Sequence, residues 1–238
     1  MTLAIPPKRY ARIAGSLYLV IAVFGGFAIA YVPSVIVVAG DGAKTAANLL
    51  ANQGLFGMGV VADVVVMLTE IVLSAMLFVL FRATSPTLSL IAMVSRLTMV
   101  VVMAINLLIY VMPMVLLRVA GASEEMQATA MMLFEAHRYG IYVWDMFFGF
   151  HLAALGYLII RSGYFPRLLG VALLVGSLGY FLEGLAKVVF LDNALLATGI
   201  VGLLVVASIG ELAFAFWLLI RGVDVAGWNK ALGRPAAA

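Results

Sequence analysis

Six apolar runs, each long enough to cross a hydrocarbon layer, constrain this chain more than any other feature. They are Ile13–Val38, Leu55–Phe81, Leu88–Leu117, Tyr139–Ile160, Leu168–Leu191 and Leu195–Ile220. A spanning helix needs about 20 mostly apolar residues. Inside a bilayer no water satisfies the backbone, so a run of this length must close its hydrogen bonds within itself, as a helix does. The sequence therefore predicts an all-α integral membrane protein. Residues 1–223 form a six-transmembrane-helix bundle, and residues 224–238 form a short tail. The connections Arg82–Thr87 and Arg161–Arg167 are short, which predicts three antiparallel hairpins. Pro33 and Pro113 fall near the outer ends of the first and third runs, where a helix break is tolerated.

Of 238 residues, 66% are hydrophobic and 11% charged. A soluble domain carries about 25% charged residues, so the composition agrees with a membrane solvent. The net charge of +3 is spread over helix ends rather than clustered. That pattern excludes a nucleic-acid surface and reads as a set of topology determinants. With six crossings, Lys8, Arg9, Arg12, Arg82, Arg161, Arg167, Arg221, Lys230 and Arg234 share one side. Asp41, Lys44, Arg118, Glu124, Glu125, Glu135, His137, Arg138 and Asp192 share the other. The positive-inside rule then places both termini in the cytoplasm. The first run lacks a small-residue cleavage pattern and is too long for a signal peptide, so it is expected to be a retained helix. Two outer segments are also helix-prone: Ala43–Gln53, and Ser123–Glu135 with its Ser-Glu-Glu start.

Ionisable residues within the runs are the main pointer to function. A charge at the bilayer centre costs roughly 2.5–3.5 kcal/mol on insertion scales, so each needs a partner or a wet cavity. Glu70, Arg96, His151 and Glu211 lie deep in four different runs. At ~1.5 Å per residue they can meet in one layer near the midplane. Asp63, Asn106, Asp145, Glu183 and Lys187 lie farther out, where water could reach them as an outer vestibule. Asp63 and Glu70 are seven apart and share a helix face with Ser74. Glu183 and Lys187 are four apart in the favourable order, which predicts a pair on their own helix. Arg96 is the counter-ion for Glu70 or Glu211, and two acids against one arginine leave one carboxylate over. A purely structural buried pair is the competing account of Arg96. The aromatics Trp144, Phe147, Phe148, Phe150 and Trp217 are expected to pack or anchor rather than to hold a cofactor.

Several chemistries lack their signatures. The chain has no cysteine, which removes disulfides, thiolate metal sites and iron–sulfur clusters. Glu135-Ala-His137 has the wrong spacing for a zinc helix motif, and no nucleophile elbow or phosphate loop occurs. The only two histidines, His137 and His151, would be about 21 Å apart along one helix and cannot clamp a haem together. No cofactor, no metal site and no catalytic residue is expected.

Several longer stretches carry a family likeness. They are Ala11-Arg-Ile-Ala-Gly15-Ser-Leu-Tyr18, the Gly40-Asp41 loop with Thr45-Ala-Ala-Asn48, Arg96 with Asn106, His137-Arg-Tyr-Gly140, and Phe147-Phe-Gly149. Arg161-Ser-Gly-Tyr-Phe-Pro-Arg-Leu-Leu-Gly170 and Gly210-Glu211-Leu continue the series in order. In these stretches the chain resembles the bacterial multi-pass membrane family catalogued as domain of unknown function 4386. The resemblance implies a bacterial inner-membrane protein without an assigned activity. It also implies that Arg96, Asn106, His137 and Glu211 belong to the family pattern.

Three functions are consistent with these residues. The first is a polar-cavity binder, a transporter or a sensor for a lipid-like or small anionic ligand, centred on Arg96, Glu70, Glu211, His151 and Asn106. The second is an accessory or assembly subunit with structural ion pairs. The third is an intramembrane enzyme with Glu/His acid–base chemistry. Expected partners are membrane lipids, a small amphiphile or anion, and a membrane partner or a second copy, with no nucleic acid.

Overall fold

The computed structural model describes residues 5–191 and 193–233. Asp192 and Arg234, which entered the charge count above, lie outside the described residues. Six helices are long and apolar enough to cross a membrane: α1 (Pro7–Ile36), α3 (Gln53–Phe81), α4 (Pro86–Ala120), α5 (Glu124–Ser162), α6 (Arg167–Val188) and α7 (Ala194–Ile220). Two shorter helices, α2 (Gly42–Ala51) and α8 (Val225–Ala231), complete the set. The described residues are helical with no strand.

Two expected boundaries change. The helix-prone Ser123–Glu135 segment is helical and continuous with the fourth crossing, so α5 starts at Glu124 rather than at Tyr139 and runs unbroken to Ser162. Nothing between Glu135 and Tyr139 (no Pro, Gly or capping residue) stops a helix there. In α1 the stretch Gly26–Tyr31 widens to a π-helix, with Val32 N–H donating to Phe27 O. Pro33 follows directly. Proline cannot continue the normal ladder, and the wider turn absorbs the break so that the helix resumes over Val32–Ile36.

Caps account for the short elements. The Asp41 side chain accepts from Lys44 N at 2.9 Å, starting α2. That bond to the backbone holds the Asp41 carboxyl below its ordinary range. Thr45 accepts from Val38 N at 2.9 Å, and Asn48 donates to Ile36 O at 3.3 Å. These bonds tie α2 to the end of α1, whose last carbonyls would otherwise be orphaned.

The chain divides into two compact units. Unit 1 comprises Met1–Leu19, Glu70–Met99 and Tyr142–Ala238, and unit 2 comprises Val20–Thr69 and Val100–Ile141.

In unit 1, small residues set the helix spacing. Gly156 on α5 meets the backbone of Gly170 on α6. Further along, Gly149 meets Ser177 O, and Gly184 meets Tyr142 O. Positions advance by seven along α5 as they retreat by seven along α6, so the two helices run antiparallel with one seam. The other side of α6 packs on α7, where Gly176 faces Ala207 and Gly179 faces Leu203 and Leu204. Without a hydrophobic driving force between helices in lipid, such close backbone approach supplies the attraction.

In unit 2, a core of Val32, Ile36, Leu49, Phe56, Tyr110, Met114 and Phe134 is buried among α1, α2, α3, α4 and α5.

Candidate functional site

Along α4 the buried residues recur every three or four positions: Ser89, Ala92, Arg96, Met99, Met103, Asn106, Tyr110, Met114 and Leu117. One stripe therefore carries Ser89, Arg96 and Asn106 inward. Arg96 is 1% exposed. Its Nε–H donates to Glu70 Oε2, forming a buried ion pair. Nη1 donates to the Tyr18 hydroxyl at 3.1 Å and to His151 Nε2 at 2.9 Å. The guanidinium carbon lies 5.0 Å from the Tyr18 ring centroid and 5.9 Å from that of Phe148. Both aromatic faces add cation–π attraction in a dry setting.

The bonds fix the roles of His151. Nδ1 lies 2.8 Å from the Ala92 carbonyl and must donate to it, while Nε2 accepts from Arg96. Both nitrogens are therefore engaged. Ser74 donates to the Glu70 carbonyl at 2.6 Å. The space beside His151 and Ser74 measures about 10 Å³, room for roughly one water and no ligand. The centre is a filled joint between α1, α3, α4 and α5.

Glu211 is the carboxylate left over. It is half-buried and accepts from the Tyr180 hydroxyl at 3.1 Å. It lies within reach of the charges of Arg96 and Glu70 without touching either. Tyr180 packs edge-on against Phe148 at 4.8 Å, and Phe148 stacks on Trp144 at 4.7 Å. Tyr180 lies within reach of the charges of both Glu211 and Asp145. Neither Tyr18 nor Tyr180 is among the residues expected from sequence, although a tyrosine inside an apolar run, on the same helix face as Ala11, Ala14 and Gly15, is the signal for the first.

The outer set is divided between the two units. Asp145, Glu183 and Lys187 belong to unit 1, Asp63 and Asn106 to unit 2. Asp63 and Asp145 were expected to be wetted, yet each is only 5% exposed. For Asp145 the cause is the tight α5–α6 crossing at Tyr142 and Gly184 next to it. Glu183 and Lys187 form no ion pair among the described residues, against the expectation of a pair on their own helix. They line a cavity of about 410 Å³ at the α6–α7 turn, together with Asn193, Leu191, Leu196, Ile200 and Val201. Glu183 is half-buried there and lies within reach of the Asp145 charge.

In unit 2, Asn106 Nδ2 donates to His137 O at 2.9 Å, and His137 Nδ1 approaches Asn106 O at 3.3 Å. This reciprocal pair locks α4 to α5. The Asn106 carboxamide occupies the place where a Cβ on Gly140 would stand. The packing explains why Asn106 and the His137-Arg-Tyr-Gly140 stretch occur together in one chain. Asn106 Oδ1 and the Tyr110 hydroxyl are buried without a hydrogen-bond partner among the described residues.

The pattern of the family described as "Domain of unknown function (DUF4386)" matches residues 13–222. The chain belongs to that family. The match takes in Arg96, Asn106, His137, His151 and Glu211, and every helix from α2 to α7. The chain is also similar to a protein of Archaeoglobus fulgidus described as "Uncharacterized protein", at 39% identity over 77 residues. The matched stretch is 32% of this chain and 43% of that relative, so it spans less than half of the relative's length. No solved structure matches the chain. The DUF4386 protein is thus a six-helix membrane protein of an uncharacterised family.

Proposed function

We propose that this DUF4386 protein binds a small amphiphile with an anionic or zwitterionic head, and that Glu183, Lys187 and Asn193 make the contacts rather than Arg96. The observation that carries this reading is the cavity at the α6–α7 turn. Its volume, about 410 Å³, falls in the range of ligand sites. Its lining is amphiphilic. Lys187 and Glu183 bring one charge of each sign and form no ion pair among the described residues, and Leu191, Leu196, Ile200 and Val201 bring an apolar wall. Lys187 takes the anionic group, Glu183 a cationic or hydroxyl group, and the apolar wall the tail. Arg96, Glu70, Tyr18 and His151 serve as the scaffold that fixes the helices behind the cavity. Glu211 and Asp145, each lacking a contact ion pair among the described residues, are the groups able to hold a proton when a charged ligand arrives.

The test is calorimetric titration of the purified protein with a ten-carbon carboxylate and with its methyl ester. Lys187→Ala is expected to weaken carboxylate binding about tenfold, roughly 1.4 kcal/mol, and to leave ester binding unchanged. Equal loss for both ligands, or none for either, would overturn the reading.

A second reading has its own observation. The Arg96 centre is closed and paired, as befits an accessory or assembly subunit whose buried charges set helix register. It predicts that neither ligand binds. Intramembrane acid–base catalysis is the reading least supported, since both nitrogens of His151 are engaged.

The same proposal places the protein in the inner membrane of a bacterial cell with both termini cytoplasmic. The absence of native cysteine makes a direct test simple. Single cysteines replacing Lys230 and Ala122 in intact cells should behave oppositely toward an impermeant maleimide. Ala122→Cys should react, and Lys230→Cys should react only after the membrane is opened. The reverse pattern would invert the topology.

A further inference from the structure

Three separate segments of unit 1 converge around the turn between α5 and α6, and each brings cations. The start of α1 brings Lys8, the end of α5 brings Arg161, and the α7–α8 region brings Arg221 and Lys230. These four side chains are exposed, and none is in an ion pair among the described residues. They rim two cavities that share Gly163. One, of about 570 Å³, is lined by Lys8 and Arg221 together with Phe165, Pro166, Trp217 and Val223. The other, of about 460 Å³, is lined by Arg161 and Lys230 with Thr84 and Ser162. Asp224 is the one acid in either lining, and its carboxylate already accepts from Gly227 N at 3.0 Å.

The frame is held by bonds that leave the cations free. Arg12 Nη2 donates to Ile220 O at 3.0 Å, closing the end of α7 against α1. Asp224 N donates to Tyr164 O at 3.2 Å, closing the α7–α8 link against the α5–α6 turn. Gly222 has a φ of +71°, and a Cβ there would stand 3.0 Å from Lys8 O, so the chain passes tightly beside Lys8. Thr84 donates to the Tyr164 hydroxyl at 2.9 Å, which in turn donates to Leu80 O at 2.8 Å. Burial pushes that hydroxyl up to about 12, so it stays neutral in the floor of the site. The result is a preformed hollow with cationic rims and an apolar side.

We infer that these paired cavities bind the phosphate of an anionic phospholipid, with Lys8 and Arg221 on one side of the headgroup and Arg161 and Lys230 on the other. Unpaired lysine and arginine beside apolar wall, at the ends of membrane helices, match a phosphodiester with acyl chains attached. A merely topological role would need the same charges but no hollow between them. This site is separate from the α6–α7 cavity and does not depend on the reading proposed for it.

The test uses the full-length protein in detergent and reads its thermal unfolding midpoint against added phosphatidylglycerol, phosphatidylcholine or inorganic phosphate. Phosphatidylglycerol is expected to raise the midpoint by several degrees more than phosphatidylcholine. Lys8→Gln with Arg221→Gln should cut that difference by at least half, and adding Arg161→Gln with Lys230→Gln should abolish it. The four side chains are exposed, so the variants should unfold at the parent temperature without lipid. An equal response to inorganic phosphate, lost in the same variants, assigns the same phosphate site to a free anion instead of a lipid. Equal shifts with both lipids, or a phosphatidylglycerol shift that survives all four substitutions, overturn the inference.

Discussion

Arg96→Ala is expected to lower the unfolding free energy by roughly 3–5 kcal/mol, read from denaturant unfolding in detergent micelles. The substitution removes one partner of a buried pair and strands the other. Glu70 is 4% exposed and would keep a carboxylate with no cation beside it. Tyr18 and His151 would each lose the donor that now meets them. The size of the loss comes mainly from that stranded charge rather than from the pair's net worth. A second variant separates the two. Arg96→Met combined with Glu70→Leu removes both charges and refills the space, and should recover most of the stability lost in Arg96→Ala. If the double variant is as unstable as the single one, the pair itself contributes more than its desolvation cost. If Arg96→Ala unfolds at the parent concentration, Arg96 is not the joint described here.

Gly170→Leu should destabilise by more than about 3 kcal/mol, above the 1–3 usual for overpacking. The reason lies in what the new atoms would meet. A Cβ at Gly170 would stand 2.5 Å from Gly156 O and 2.9 Å from Ile160 N. These are main-chain atoms of α5 and cannot rotate away, so the helices must separate and the seam through Gly149, Gly156 and Gly184 opens with them. Gly202→Leu is the matched control, because nothing lies within 4 Å of a Cβ there. It should change stability by no more than about 0.5 kcal/mol. Similar losses at both positions would mean that helix flexibility, not close packing, is what Gly170 supplies.

The two expectations concern different parts of what could be read in advance. The apolar runs set six membrane-length helices, because a bilayer leaves the backbone no other way to satisfy its hydrogen bonds. The inward face of α4 was also legible. Arg96 and Asn106 sit on a three–four repeat with Met99, Met103 and Tyr110. Even the imbalance of two acids against one arginine was visible, and it resolves with Glu70 paired and Glu211 held by Tyr180.

What the linear order could not show was distance between helices. The seven-residue spacing of Gly149 and Gly156, and the fourteen-residue spacing of Gly170 and Gly184, are present in the chain. Only folding brings the two rows together, and that close crossing buries Asp145, which spacing alone had put in reach of water. The same limit applies to Glu183 and Lys187. Their four-residue separation permits a pair, but the α6–α7 turn opens a cavity beside them and they form no ion pair among the described residues. Sequence by itself determined the class of structure, since length and polarity are local properties that the bilayer reads directly. Tertiary structure decided which charges meet and which face a cavity. Those outcomes depend on how closely pairs of helices approach, and in hydrocarbon that approach is set by a few side-chain volumes at the crossings.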